Sequence, residues 1–250
     1  RFNGDDNYRS SAEVTQEYTV PLVTNYLLPV SADNITYNVS DVVITVTLPD
    51  GADEDKLTIK VNDTVYTSVD FTVAGDVVTL KVSDIAAGDY LVTATYAGDD
   101  VFAAKSNVTS FNVAKADPEF SINAPDVVYG SDVVVTPVTS ANAGSVTYTI
   151  RDKDDNVVVS GVKDISEVFA VGLPAGTYTV TAEFTNANYT DATVVRNVNV
   201  NKADCTIDLN EVTGTIYVGS PVTFNATLSE SVTGDVIFTI NGANYTVKNR

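Results

Sequence analysis

The chain has 250 residues, 44% of them hydrophobic, with no His, Met or Trp, one Cys and a formal net charge of -19. The missing histidines exclude a Ser-His-Asp triad, a Cys-His pair, a His-ligated zinc and an imidazole general base. The acidity argues against nucleic acid, whose binding draws on clustered Lys and Arg, and suits a solvated surface.

In chain order, residues 2 to 8 (Phe-Asn-Gly-Asp-Asp-Asn-Tyr) read like residues 96 to 102 (Tyr-Ala-Gly-Asp-Asp-Val-Phe), and Glu13-Val14-Thr15 like Asn107-Val108-Thr109. Residues 1–28 are therefore expected to be the terminal hairpin of a preceding repeat plus a linker. Residues 29–115 form a first complete unit. Within it Val42, Ile44, Val46 and Leu48 share one side while Asp41, Val43, Thr45 and Thr47 take the other, and Tyr90, Val92, Ala94 and Tyr96 repeat the spacing. A period of two marks strands with one buried face. Turns are expected at Pro49-Asp50-Gly51, Asn62-Asp63 and Ala87-Gly88-Asp89.

Residues 116–202 repeat this unit. Lys115-Ala116-Asp117 returns as Lys202-Ala203-Asp204, and Leu57-Thr58-Ile59 has its counterpart in Val146-Thr147-Tyr148. Ala87-Gly88-Asp89-Tyr90 returns as Ala175-Gly176-Thr177-Tyr178, a spacing of about 88 residues, close to one immunoglobulin-like (Ig-like) sandwich. Residues 203–250 begin a further unit, reaching Val236, Phe238 and Ile240 before the Asn241-Gly242 turn. The segment thus starts late in one repeat and stops early in another, as an excised window would.

The expected fold class is all-β, with tandem Ig-like β-sandwich domains arranged end to end, since no stretch keeps a helical period. Tyr90 and Tyr178 sit just after a turn, where two roles are open. One is a tyrosine corner bonding back to upstream backbone; the other is an ordinary core tyrosine. Junctions of three or four residues leave little swing between domains. Cys205 cannot pair within the chain and reads as a small buried apolar residue. No apolar run approaches the roughly 18 to 20 residues that cross a bilayer, so no membrane insertion is expected in this segment.

The combination of Gly-[Asp/Thr]-Tyr-x-Val-Thr-Ala, Ala-Gly-Asp-Asp-x-[Phe/Tyr] and a Lys-Ala-Asp junction, in an acidic chain rich in Thr, Val and Asn, resembles the bacterial-type Ig-like repeats of archaeal adhesin-like surface proteins, notably those of methanogens. The resemblance covers nearly the whole chain. It implies a secreted, envelope-anchored array of repeats that projects a binding tip, of which this segment would be stalk. Asn186-Ala187-Asn188-Tyr189 departs from the Gly-Asp-Asp pattern, so the resemblance assigns that loop no role.

Chemistry is sought first in the acidic loops. Asp152, Asp154 and Asn156 alternate as calcium ligands do, but Val157 and Lys163 stand where a calcium loop needs Gly and Glu. Solvated turn residues are the competing reading, and no cofactor is expected apart from calcium at this loop. Asp50, Asp53, Glu54 and Asp55 crowd a second loop, and Asp99 with Asp100 a third. Carboxylate pairs occur by chance in so acidic a chain, so no enzyme is expected. Seven sequons offer N-glycosylation at Asn34, Asn38, Asn62, Asn107, Asn188, Asn225 and Asn244 if the chain is secreted.

Two functions are open on this reading. One is an extracellular stalk or adhesin segment whose partners are neighbouring repeats and an unidentified surface receptor. The other is a self-assembling filament whose copies join head to tail by strand complementation. The repeat spacing leaves a composite end-to-end domain about 20 residues short, which favours the stalk.

Overall fold

A computed structural model describes residues 1–230 and 232–249; Ser231 and Arg250, inside the expected segment 203–250, lie outside the described residues. Two compact units divide the chain. One comprises 1–120, 139–146 and 183–193; the other comprises 121–138, 147–182 and 194–250. Among the described residues the only helical elements are two three-residue 3-10 turns, at Glu54–Lys56 and Ser68–Asp70.

The first sandwich packs two sheets. One has the order β1 (Val30–Ala32), β3 (Val42–Thr47), β7 (Val77–Val82), β6 (Phe71–Ala74); the other β2 (Ile35–Thr36), β9 (Lys105–Ala114), β8 (Gly88–Tyr96), β4 (Leu57–Val61), β5 (Thr64–Tyr66). The opening strand is shared between the sheets: β1 runs antiparallel to β3, and β2 then runs parallel to β9. This strand order is that of an Ig-like sandwich. The alternating residues do what their period predicts. Val42, Ile44 and Val46 from one sheet and Leu57, Ile59, Val92, Ala94 and Tyr96 from the other are fully buried.

The second sandwich repeats the plan. Its sheets are β10 (Ser121–Asn123), β12 (Asp132–Val138), β15 (Phe169–Gly172) and β11 (Val127–Val128), β17 (Ala192–Asn201), β16 (Gly176–Thr185), β13 (Ser145–Arg151), β14 (Val157–Asp164). Its core includes Val133, Val135, Val146, Tyr148, Ile150, Val180, Ala182 and Phe184, all at 0% exposure. Beyond it lie two ribbons, β18 (Ile207–Leu209) with β19 (Ala226–Leu228), and β20 (Gly234–Ile240) with β21 (Ala243–Asn249).

Three sequence expectations are revised. The core of the first sandwich reaches back before residue 29, taking in Leu28 and Tyr26, whose hydroxyl donates to the Ala103 carbonyl at 2.5 Å. Lys105 lies 4.8 Å from the Tyr26 ring centre and donates to the Tyr26 carbonyl, while Asn107 donates to the Leu28 carbonyl at 2.9 Å. Side chains and a single backbone bridge from Val23 to Phe102, not an extended ladder, hold this lead-in segment, so no alternation advertises it.

Residues 1–22 contain no strand; of the expected hairpin only the turn is formed, with Asp5 N–H donating to the Tyr8 carbonyl at 2.9 Å and Ser11 N–H to the Phe2 carbonyl at 3.0 Å, and Val14, Tyr18 and Val20 are exposed. A two-stranded ribbon with no sheet to pack on is marginal in water. Cys205, expected to be buried, is exposed, because the ribbons that follow it do not close a core around it.

Candidate functional site

The loop at residues 152–156, where turn residues and calcium ligands were both open readings, is a capped turn. Asp152 Oδ1 accepts from the backbone N–H groups of Asp154 and Asn156 at 2.9 and 3.0 Å, and Asn156 Nδ2 donates to Asp152 Oδ2 at 3.1 Å. Asp155 takes a left-handed φ of 65°, and Asp154 is paired to Lys153. The carboxylates that alternate in sequence are therefore turned to N–H groups and an ammonium. These hydrogen bonds, led by the Asn156 side chain, hold the Asp152 carboxyl below its ordinary range. Among the described residues no group of three or more His, Cys, Asp or Glu is placed to hold a metal.

The structure does join two other acidic loops. Tyr96, at the end of β8, is buried and donates to Asp99 Oδ2 at 2.5 Å, while Asp99 Oδ1 accepts from the N–H groups of Val101 and Phe102 at 2.7 and 2.6 Å. From the 3-10 loop, Asp53 N–H donates to the Tyr96 hydroxyl at 3.2 Å. The bond from Tyr96, followed by those from Phe102 and Val101, lowers the Asp99 carboxyl to about 2. Burial, and then the bond to Asp99, raises the Tyr96 phenol to about 12.

The same turn recurs at Asp5, whose Oδ1 accepts from Asn7 and Tyr8 N–H at 2.8 Å each, and at Asn186, which accepts from Asn188 N–H at 2.7 Å. Asp99 is ionised more readily folded than unfolded, so its stabilisation is present above the ordinary carboxylate range and lost as pH falls through about 2. The stability gap between the native chain and Asp99→Asn is thus expected to shrink between pH 5 and pH 2 in urea unfolding. A gap independent of pH would refute this role for the carboxylate.

Both tyrosine corners are formed. Tyr90 Oη donates to the Ala86 carbonyl at 2.9 Å and Tyr178 Oη to the Pro174 carbonyl at 2.8 Å. Tyr148 is the contrasting case, stacked on Phe169 at 5.0 Å with its hydroxyl buried and without a hydrogen-bond partner among the described residues. Tyr178→Phe is expected to lose about 1 kcal/mol, whereas Tyr148→Phe should be neutral or stabilising by a similar amount. Chemical denaturation of the two variants checks the opposite signs.

The first unit also holds the Lys115–Ala116 junction against the 186–189 loop, to which the resemblance assigned no role. Ala116 N–H donates to the Asn188 carbonyl at 3.0 Å, and Thr190 N–H donates to the Ala116 carbonyl at 2.9 Å, so the Lys115–Ala116 connection is held as a bridge against the hairpin around Tyr189. Val23 makes the equivalent bridge to Phe102. From this hairpin Asn188 Oδ1 accepts from Ala87 N–H at 3.0 Å, the Tyr189 ring meets Tyr37 edge to face at 5.4 Å, and Lys115 Nζ donates to the Asn186 carbonyl at 3.4 Å.

The sequons differ in how free their amides are. Asn38 and Asn225 are exposed, with no side-chain hydrogen bond among the described residues. Asn34, Asn62, Asn188 and Asn244 accept through Oδ1, from Asn112 N, Leu91 N, Ala87 N and Thr239 Oγ1, which leaves Nδ2 uncommitted. Asn107 alone uses Nδ2, toward Leu28.

No protein-family model and no curated protein matches the chain. Among solved structures it is similar to the fibronectin(III)-like modules of Clostridium thermocellum CbhA, at 16% identity over 70% of this chain and 95% of that one, with a TM-score of 0.28. It is also similar to the BSP domain of a biofilm associated protein, at 21% identity over 72% of this chain and 30% of that one, TM-score 0.26. A third likeness is to titin domains A168-A170, at 13% identity over 69% and 62%, TM-score 0.29. Strand order and core are what define the class: an all-β protein carrying two Ig-like β-sandwiches.

Proposed function

We propose that this chain is a structural spacer of an extracellular surface protein, a stalk or adhesin segment built of Ig-like repeats and without catalytic activity. The observation that carries this reading is the clamped junction, in which Ala116 is hydrogen-bonded on both sides to the hairpin that also presents Asn188 to Ala87. A junction that spends its backbone on such bonds limits swinging, as a spacer under load requires. The acidic surface, with the sequons at Asn38 and Asn225 open to glycans, suits an extracellular setting. The repeat motifs favour an archaeal envelope.

Small-angle scattering on the 250-residue chain, with Asn188→Ala as the control, tests this role. A fixed maximum dimension that broadens in the variant is expected. A native profile already as broad as the variant's would overturn the spacer reading.

The filament reading draws on the apolar side chains that β18 to β21 leave exposed, Ile207, Leu209, Ile237 and Val247 among them. It requires light scattering to rise with protein concentration, and a monodisperse monomer across the range would eliminate it.

A further inference from the structure

The three groups that hold the hairpin of residues 186–189 in the first unit have counterparts in the second. Tyr37 corresponds to Tyr129, since Tyr37 N–H donates to the Ala114 carbonyl at 2.9 Å and Tyr129 N–H to the Asn201 carbonyl at 2.8 Å, each just after the strand that pairs parallel to the last one. Ala87 corresponds to Ala175, each three residues before a corner tyrosine. Lys115 corresponds to Lys202 in the recurring Lys-Ala-Asp junction. In the first unit all three are engaged, by the Tyr189 ring, the Asn188 side-chain oxygen and the Asn186 carbonyl.

In the second unit none of the three is so engaged. Tyr129 is 58% exposed and meets no other ring, and neither the Ala175 N–H nor the Lys202 ammonium makes a hydrogen bond among the described residues. All three line one cleft of about 920 Å³. An aromatic face, a backbone donor and an ammonium thus converge with the same chemistry as the occupied set. We infer that this cleft is a docking socket for the Asn-x-Asn-aromatic hairpin of another Ig-like repeat. The Asn side chain would accept from Ala175 N–H, the ring would meet Tyr129, and the hairpin carbonyl would accept a hydrogen bond from the Lys202 ammonium.

The inference rests on the spacer reading and names the partner such a spacer needs at this end. The occupied set supplies its warrant, because identical donors in the same fold already hold a hairpin of this kind. The aromatic pair and one amide bond are individually modest, so the docking depends on the junction placing the hairpin nearby.

The test replaces residues 203–250 with a second copy of residues 116–202, so that the Lys202 junction leads into a known hairpin. Amide hydrogen exchange is read at Ala175 and compared with the native 250-residue chain. Protection of Ala175 at least tenfold greater is expected, and it should be lost when Asn188 of the added copy is changed to Ala. In a second arm, the native chain is titrated with a cyclised peptide of residues 183–194, with saturable NMR shifts expected at Ala175 and Tyr129 and absent in Tyr129→Ala. An added copy that folds and leaves Ala175 unprotected, with no saturable shift from the peptide, overturns the socket. Scattering on that same duplicated chain reports the spacer role separately, because a fixed length can coexist with an open socket.

Discussion

Gly98→Ala is expected to destabilise the first sandwich by about 2–4 kcal/mol, among the largest single-site effects in the chain. Gly98 has a φ of +87°, and a Cβ placed there would lie 2.8 Å from the backbone nitrogen of Ala104 and 3.0 Å from the Phe102 carbonyl oxygen. Both obstacles are backbone of the turn that carries the Asp99 carboxylate, so relief requires the turn to open and Asp99 to lose Val101 and Phe102. Gly130 isolates the strain from the clash. Its φ is +97° with nothing within 4 Å of the Cβ position, and Gly130→Ala should cost only about 1–2 kcal/mol. Urea unfolding of both variants measures the difference. Equal losses would mean that backbone strain alone, without the close approach, sets the requirement for glycine at residue 98.

Phe184→Ala is expected to cost the second sandwich about 3–5 kcal/mol, and Phe184→Leu less than half as much. Phe184 is fully buried, stacked on Phe120 at 5.6 Å and edge-on to Tyr189 at 6.2 Å. It also fills the space over Gly144, where a Cβ would come within 2.3 Å of its ring. Truncation leaves a cavity that a β-sandwich with two hydrogen-bonded sheets cannot readily collapse. Because Tyr189 packs on both Phe184 and Tyr37, the loss should spread to the junction. Hydrogen exchange at Ala87, the donor to Asn188, reports it. An Ala87 amide as protected as in the native chain would show that the hairpin holds its position without Phe184.

Much of the fold was legible because strand pairing writes itself as alternation. Val42, Ile44 and Val46 had to face one way, and the same period runs from Tyr178 through Phe184, so the two sandwiches and their turns follow from the sequence. The corner tyrosines were readable down to a choice of two roles, since a turn four residues upstream brings a carbonyl within reach of the phenol. Local turn chemistry was partly legible as well. Gly98-Asp99 and Gly4-Asp5 place a carboxylate over the N–H groups two and three residues further on.

The site-forming contacts were not legible, and sequence distance explains why. Asp53 meets Tyr96 across 43 residues and Asn188 meets Ala87 across 101, and no periodicity links such positions. The hairpin at 186–189 looked like a departure from the repeat, yet that is the segment whose side chains engage the first sandwich. At Asp152, Asp154 and Asn156 the sequence left two readings open, solvated turn residues and calcium ligands; the turn bonds join residues at most four apart, with Asp152 accepting from the N–H groups of Asp154 and Asn156 and Asp154 paired to Lys153.

What the sequence determined by itself is the repeating β-sandwich, through the two-residue period and the recurring turns, because burial of one strand face is a property of the pattern. Tertiary structure alone decided where the first sandwich begins, that residues 1–22 form no strand, that Cys205 is exposed, and that Tyr37, Ala87 and Lys115 act together. Each of these depends on whether another element is present to supply the second half of a contact. That is information a single strand does not carry.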